Sequence, residues 1–281
     1  MDARIQAVFG LKWNPFSPDV PTDGLVKTPR IDAFCHRVET LVVDGGFALV
    51  TGEPGSGKSV VLRLLAERLG RMRELTVATI SRPQSGMTDF YRELSLLFGL
   101  ASGTSNRWGG FRSLREKWLS HIETTMLRPI ILIDEAQEMP TTVLSEIRLL
   151  SSIAYDSKAI LTVILAGDLR LPERLRATEL APLESRLRTR MRLEPASRDE
   201  MVAMLEARCE AAGNASLVTP DLAATLAERS LGNARAMLNI ADELLTVAAT
   251  RDLRQLDEKL YLDLYPTPDP RQQRKTALRR A

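Results

Sequence analysis

Apolar positions in the first two thirds of the chain fall into short continuous runs separated by stretches of helical spacing. Phe47–Thr51, Leu75–Ile80 and Pro129–Ile133 are such runs, the pattern of strands covered on both faces. Ala159–Ala166 reads as a fourth strand and Met191–Leu193 as a last. Ile31, Phe34, Val38, Leu41 and Val42 recur at helical spacing and predict an amphipathic helix over 31–44. Further helices are predicted from the glycine-rich turn to about Arg68, over Gly86–Phe98, from Phe111 to Met126 ahead of Pro129, over Thr141–Ser152 and over 183–190. Strands alternating with helices predict an α/β fold, a parallel five-stranded sheet between helices.

From Ser197 the alternation stops. Ser197 followed by Glu200 is a capping box opening a helix to about Ala212. Thr219 and Pro220 open a second, and a third runs from near Asn233 to about Arg251. The reading is therefore an extended lead segment (1–30) lying across the main domain, an α/β domain (31–195), a small all-helical lid domain (196–262) and a flexible basic tail (263–281). The lead segment combines Phe9, Trp13 and Phe16 with Pro15, Pro18, Pro21 and Pro29, so it resists a long helix yet needs burial.

Composition adds exclusions. With 44% hydrophobic and 26% charged residues the chain reads as globular, not disordered. No run of 18 apolar residues occurs, and the start lacks a basic stretch before an apolar one. The expectation is a cytoplasmic protein without a membrane partner. Cys35 and Cys209 lie far apart in helix-like segments and read as small buried hydrophobes. Of 38 Lys and Arg against 36 Asp and Glu, the last sixteen residues hold five basic side chains and only Asp269. The rest of the chain is thus slightly acidic, which excludes a generally basic nucleic-acid-coating surface.

Two motifs carry chemistry. Gly52-Glu53-Pro54-Gly55-Ser56-Gly57-Lys58-Ser59 matches GxxxxGK[ST] between a predicted strand and a predicted helix. In that pattern the loop amides turn onto phosphates, Lys58 holds the β- and γ-phosphates, and Ser59 ligates magnesium. The apolar run Ile130–Ile133 ends in Asp134-Glu135, placing both acids at the carboxyl edge of a sheet, where ligands of open α/β sheets bind. Asp134 is expected on the magnesium and Glu135 on the attacking water. The expected reaction is magnesium-dependent hydrolysis of ATP to ADP and phosphate.

A helical domain after such a sheet resembles the AAA+ P-loop NTPases. That resemblance implies roles for further residues: Arg235 as a lid sensor near the γ-phosphate, and Arg186 or Arg188, with Arg186 preferred and Arg190 nearby, as a finger presented to a neighbouring subunit. Asp168 stands at the end of the fourth strand, where the class more often has threonine, asparagine or serine. An acid there is unfavourable beside phosphate unless it holds water or an arginine. Phe9-Gly10-Leu11-Lys12-Trp13-Asn14-Pro15-Phe16, Ile133-Asp134-Glu135-Ala136-Gln137 and Leu144–Ser151 are similar to segments of ExeA/GspA-type ATPases. Within that group the ending after the lid, with a basic tail, is most like the transposition helpers of the TnsC, TniB and Mu B protein type. The likeness implies an ATP-dependent ring or filament on duplex DNA that selects a target and recruits a transposase. That likeness places Arg82 and Gln84, after the second strand, on DNA; the loop with Thr104 and Arg107, before the next helix, has the short polar residues and single arginine that suit a second set of phosphate contacts. The alternatives are an ATPase serving an envelope secretion complex and a helicase-loader-like ATPase. Trp13 and Phe16 are expected near adenine or in plain core packing.

Overall fold

The computed structural model describes residues 3–100, 107–126, 128–153 and 158–266. In chain order the helices are α1 (Ala3–Phe9), α2 (Pro29–Asp44), α3 (Lys58–Gly70), α4 (Met87–Leu97), α5 (Arg107–Thr124), α6 (Thr141–Leu150), α7 (Arg170–Leu175), α8 (Ala181–Glu184), α9 (Arg198–Ala211), α10 (Pro220–Arg229), α11 (Ala234–Thr250) and α12 (Glu258–Leu264). The strands are β1 (Gly46–Gly52), β2 (Leu75–Ile80), β3 (Arg128–Ile133), β4 (Ser152–Ile153), β5 (Lys158–Ala159), β6 (Thr162–Gly167) and β7 (Leu187–Leu193). The chain divides into two compact units: Lys27–Glu194, and the residues before Lys27 together with those from Pro195 onward.

The first unit is built on a five-stranded sheet in the order β2-β3-β6-β1-β7. Every pairing is parallel. Strand alternation explains its two cores. Phe47 and Leu49 of β1, Ile131 and Ile133 of β3 and Val163 and Leu165 of β6 face one side, packed with residues of α4 to α8. Ala48, Val50, Ile130, Leu132, Ile164 and Ala166 face the other, packed with α2 and α3. Thr28 caps α2 by accepting from the Ile31 amide, and Pro29 opens the helix. Buried Glu146 on α6 joins three helices: the Tyr91 hydroxyl of α4 donates to it at 2.6 Å, and the Arg107 guanidinium of α5 donates to both its oxygens. Burial alone would raise the Glu146 carboxyl, but those two donors outweigh it and hold it below the ordinary carboxylate value.

Helices α9 to α12 form the second unit, with a core of Met201, Leu205, Leu222, Leu226, Leu244 and Leu245 among others. The capping box of Ser197 and Glu200 is formed, Thr219 caps α10, Asn233 caps α11 and Asp257 caps α12. Phe9, Leu11 and Phe16 are buried in this same core. The lead segment through Val26 therefore belongs to the helical unit and not to the α/β unit with which it was expected. Nor is it extended throughout, because α1 fits before the first proline. The Asn14 amide fastens it to Asp242, and Lys12 N–H donates to the Ala212 carbonyl at 2.8 Å.

Other boundaries differ for local reasons. Residues 183–190 are not one helix: α8 stops at Glu184 and β7 begins at Leu187. Thr189 and Met191 point inward while Arg188, Arg190 and Arg192 are exposed, a period of two that marks an edge strand. Ala159 pairs with Ser152 in an antiparallel pair of two-residue strands outside the main sheet, so the fourth sheet strand starts at Thr162. Helix α5 starts four residues early, through Gly109 and Gly110, because the Tyr91 ring occupies the space a Gly110 Cβ would take, 2.7 Å away. Thr104 and the tail beyond Pro266 lie outside the described residues. Both cysteines are buried, and burial pushes the Cys209 thiol up to about 12.

Candidate functional site

Strand β1 is buried along its whole length and delivers Gly52 to the sheet's carboxyl edge. A side chain at Gly52 has no room: its Cβ would lie 2.4 Å from Ser56 Oγ and 2.9 Å from Leu193 Cβ. The loop closes with Gly57 at φ 100°, a left-handed position open to glycine, and α3 begins at Lys58 without a side-chain cap. Its first amides are left facing the loop. Lys58 is 5% exposed. Its Nζ donates to the carbonyls of Gly52 at 3.0 Å and Glu53 at 3.1 Å. Ser56 Oγ is shielded from solvent and has no hydrogen-bond partner among the described residues. An enclosed ammonium, an orphaned hydroxyl and uncapped helix amides form a cradle suited to phosphate oxygens.

Strand β3 brings the acids to the same edge. The Ser59 hydroxyl donates to Asp134 Oδ2 at 2.8 Å, across 75 residues of sequence. Asp134 Oδ1 accepts the Glu135 amide at 2.9 Å. Ser59 and Asp134 are thus adjacent oxygen donors, the hard ligand set that magnesium takes alongside phosphate. Glu135 is exposed and left-handed, at φ 51° and ψ 39°, which turns the chain sharply off the strand.

Beside the acids lies a network that sequence patterns did not reveal. Gln137 is buried; its amide nitrogen donates to Glu135 Oε2, and its amide oxygen accepts the Asp168 N–H at 3.1 Å. Arg174 on α7 donates to the Gln137 carbonyl and, at 2.8 Å, to the Met139 carbonyl. Asp168 does not present a free carboxylate to the phosphates. Arg170 Nε reaches its Oδ2 at 2.7 Å, and the Arg170 amide reaches its Oδ1 at 2.9 Å. This is the condition under which an acid is tolerated here, and Arg170 extends the link to Glu138 at 2.7 Å. Gln137 sits two places beyond the acidic pair, a readable signal, but its burial depends on the β6 end.

The remaining residues stand apart. Arg186 is half-buried against the Arg148 carbonyl at 3.4 Å, while Arg188 is exposed and 3.6 Å from Asp44. Register puts Leu187 beside Phe47 and Leu193 beside Gly52. The two arginines therefore sit at the start of β1, about six residues or 20 Å from its phosphate-loop end. Neither reaches the loop of its own chain. Arg235 is exposed in the first turn of α11. Arg82 and Gln84 are exposed just past β2. Arg107, expected on DNA, has its guanidinium committed to Glu146. Trp13 and Phe16 pack in the helical unit's core.

Sheet order, phosphate loop and strand-end acids together define a P-loop protein of the AAA fold. Residues 42–175 match the family described as "AAA domain". The chain is homologous to General secretion pathway protein A of Aeromonas hydrophila, 32% identical over 248 residues. That match takes in 86% of this chain but only 44% of the relative, so the chain spans less than half of that protein's length. Cdc6p of Pyrobaculum aerophilum is a structural neighbour at TM-score 0.68 and 17% identity, over 86% of this chain and 67% of that one. So are the ORC2 protein of Aeropyrum pernix in ADPNP–ADP complexes, at 0.71 and 15% over 89% and 70%, and the ORC1 protein of the same organism in complex with DNA, at 0.63 and 22% over 88% and 66%. At these identities the solved structures carry the fold alone. No helix among the described residues is long and apolar enough to cross a membrane.

Proposed function

We propose that this protein is a magnesium-dependent ATPase that acts as an ATP-controlled switch on duplex DNA. The 2.8 Å contact between Ser59 and Asp134, beside the enclosed Lys58, carries the ATPase reading. Lys58 and the main-chain amides of the Gly52–Ser59 loop, in which Pro54 has no N–H to give, hold the phosphates, and Ser59 and Asp134 hold magnesium. When bound, the metal neutralises phosphate charge. Glu135 orients the attacking water. Arg186 or Arg188 enters a neighbour's site, a role supported by the sheet length separating them from their own loop; Arg188 has the freer guanidinium. Asp168 contributes through Arg170.

The partner reading follows the likeness to the transposition helpers. Cytoplasmic subunits bound to ATP assemble as a ring or filament on double-stranded DNA and recruit a transposase, with exposed Arg82 and Gln84 on the DNA backbone. One observation favours a second reading: the homology to General secretion pathway protein A supports an ATPase serving an envelope secretion complex.

Duplex binding separates the two. Fluorescence anisotropy with ATP, a non-hydrolysable analogue, ADP or no nucleotide, at two salt concentrations, is expected to show ATP-dependent, salt-sensitive binding that Arg82→Ala weakens. Absence of binding in every nucleotide state leaves the secretion reading standing.

A further inference from the structure

We infer that Gln137 is a positioning residue for Glu135: its side-chain amide clamps the water-orienting carboxylate to the carboxyl end of β6. The inference rests on the role proposed above for Glu135.

Exposed glutamates sample many rotamers, and Glu135 is exposed in a left-handed turn. An undirected carboxylate there would seldom point at the attacking water. Gln137 removes that freedom. Both ends of its amide are used, the nitrogen on Glu135 Oε2 and the oxygen on the Asp168 N–H at 3.1 Å. The amide is itself enclosed, being 6% exposed and carried on a segment strapped to α7 by Arg174. The strand end is shaped to admit it: a Cβ on Gly167 would lie 2.6 Å from Gln137 Oε1. The Glu138 N–H on this turn goes to the Glu135 main-chain carbonyl, not to its carboxylate, and the nearby cations are spent elsewhere, Arg170 on Asp168 and Glu138, Arg174 on main-chain carbonyls and Thr141. The bridge also ties Glu135 to the strand end that carries Asp168. A displacement of that end is thereby passed to the carboxylate through two hydrogen bonds.

Two near-isosteric substitutions separate positioning from support. Gln137→Met removes both bonds. Gln137→Glu keeps an acceptor for the Asp168 N–H but replaces the donor facing Glu135 with a like charge. ATP turnover of the assembled protein is measured beside binding of a fluorescent ATP analogue and thermal melting. Both variants are expected to lose about 10- to 100-fold in kcat, the scale of an ångström-sized misplacement, with KM for ATP and analogue affinity changed less than about twofold. Gln137→Glu is expected to be at least as impaired as Gln137→Met. In the Glu135→Gln background neither substitution is expected to slow turnover further. A Gln137→Glu variant that turns over like wild type overturns the clamp, because support of β6 alone would survive that change. If Glu135→Gln itself hydrolyses ATP normally, the role of Glu135 fails and the clamp fails with it, a result distinct from the first.

Discussion

Lys58 holds a charge that folding has almost removed from water, compensated by two main-chain carbonyls. Desolvating an ammonium costs more than two neutral acceptors return, so a phosphate arriving beside it relieves an existing cost. Lys58→Met is expected to melt no lower than wild type without nucleotide, yet to gain nothing from Mg-ATP. Wild type, at a nucleotide concentration 100-fold above Kd, is expected to gain about 2.7 kcal/mol. Differential scanning fluorimetry reads both. Gly52→Ala is expected to lose about 1–3 kcal/mol by overpacking, because its Cβ would meet Ser56 Oγ and Leu193, and denaturant titration checks it. At this scale the eight-residue loop and the acid pair were legible because their spacing is dictated by phosphate and metal geometry. Gln137, Arg170 and Arg174 were not, since the bonds of Gln137 to Asp168, Arg170 to Glu138 and Arg174 to Met139 each span about thirty residues and form only when β6 is laid beside β3.

Helices and strands were readable where one periodicity dominates. The capped helices α9, α10 and α11 are examples, and so are the apolar runs of β1, β2 and β3. Reading failed at β7, whose outward arginines look like a helical basic face until the inward Thr189 and Met191 are placed. It also failed at the Glu146 junction, where a charge in an apolar helix stripe gave no hint of its partners. That junction makes a pH prediction. The Glu146 carboxyl is depressed from an ordinary 4.5 in the folded state, so its contribution is complete above that value and is lost as pH falls through the lower, folded one. Glu146→Gln is expected to abolish this part of the acid dependence, and Glu146→Ala to cost about 1–3 kcal/mol at neutral pH by leaving the buried Tyr91 phenol without its acceptor, the exposed Arg107 guanidinium returning to water. Urea melts at pH 7 and pH 4 test both.

For the whole molecule, the two-unit division follows from where the aromatics of the first residues are buried. Sequence gave the need for burial but not the address, since Phe9, Leu11 and Phe16 suit either core until Lys12 is seen to donate to Ala212. Catalysis belongs to the assembly and not to the single chain under the proposed function. An arginine supplied from a neighbour is worth about 10³- to 10⁵-fold in related reactions. Lys58→Met and a double Arg186→Ala/Arg188→Ala variant are each expected to be nearly silent. Mixed, they should regain turnover, because one supplies intact phosphate loops and the other intact arginines. A coupled ATPase assay across mixing ratios measures the recovery.

In the assembly proposed above, the parallel pairing of β7 with β1 gives each protomer a direction. Its arginines leave one edge of the sheet and its phosphate loop leaves the other. Contacts made between unlike edges are heterologous, so they propagate or close into a circle but do not satisfy a two-fold dimer. An open filament always ends in one protomer whose site has no donor, whereas a ring has no such member. Turnover per chain should therefore climb with filament length toward a limit, while a ring holds one value at every concentration that fills it. Polymer geometry thus becomes readable from kinetics alone.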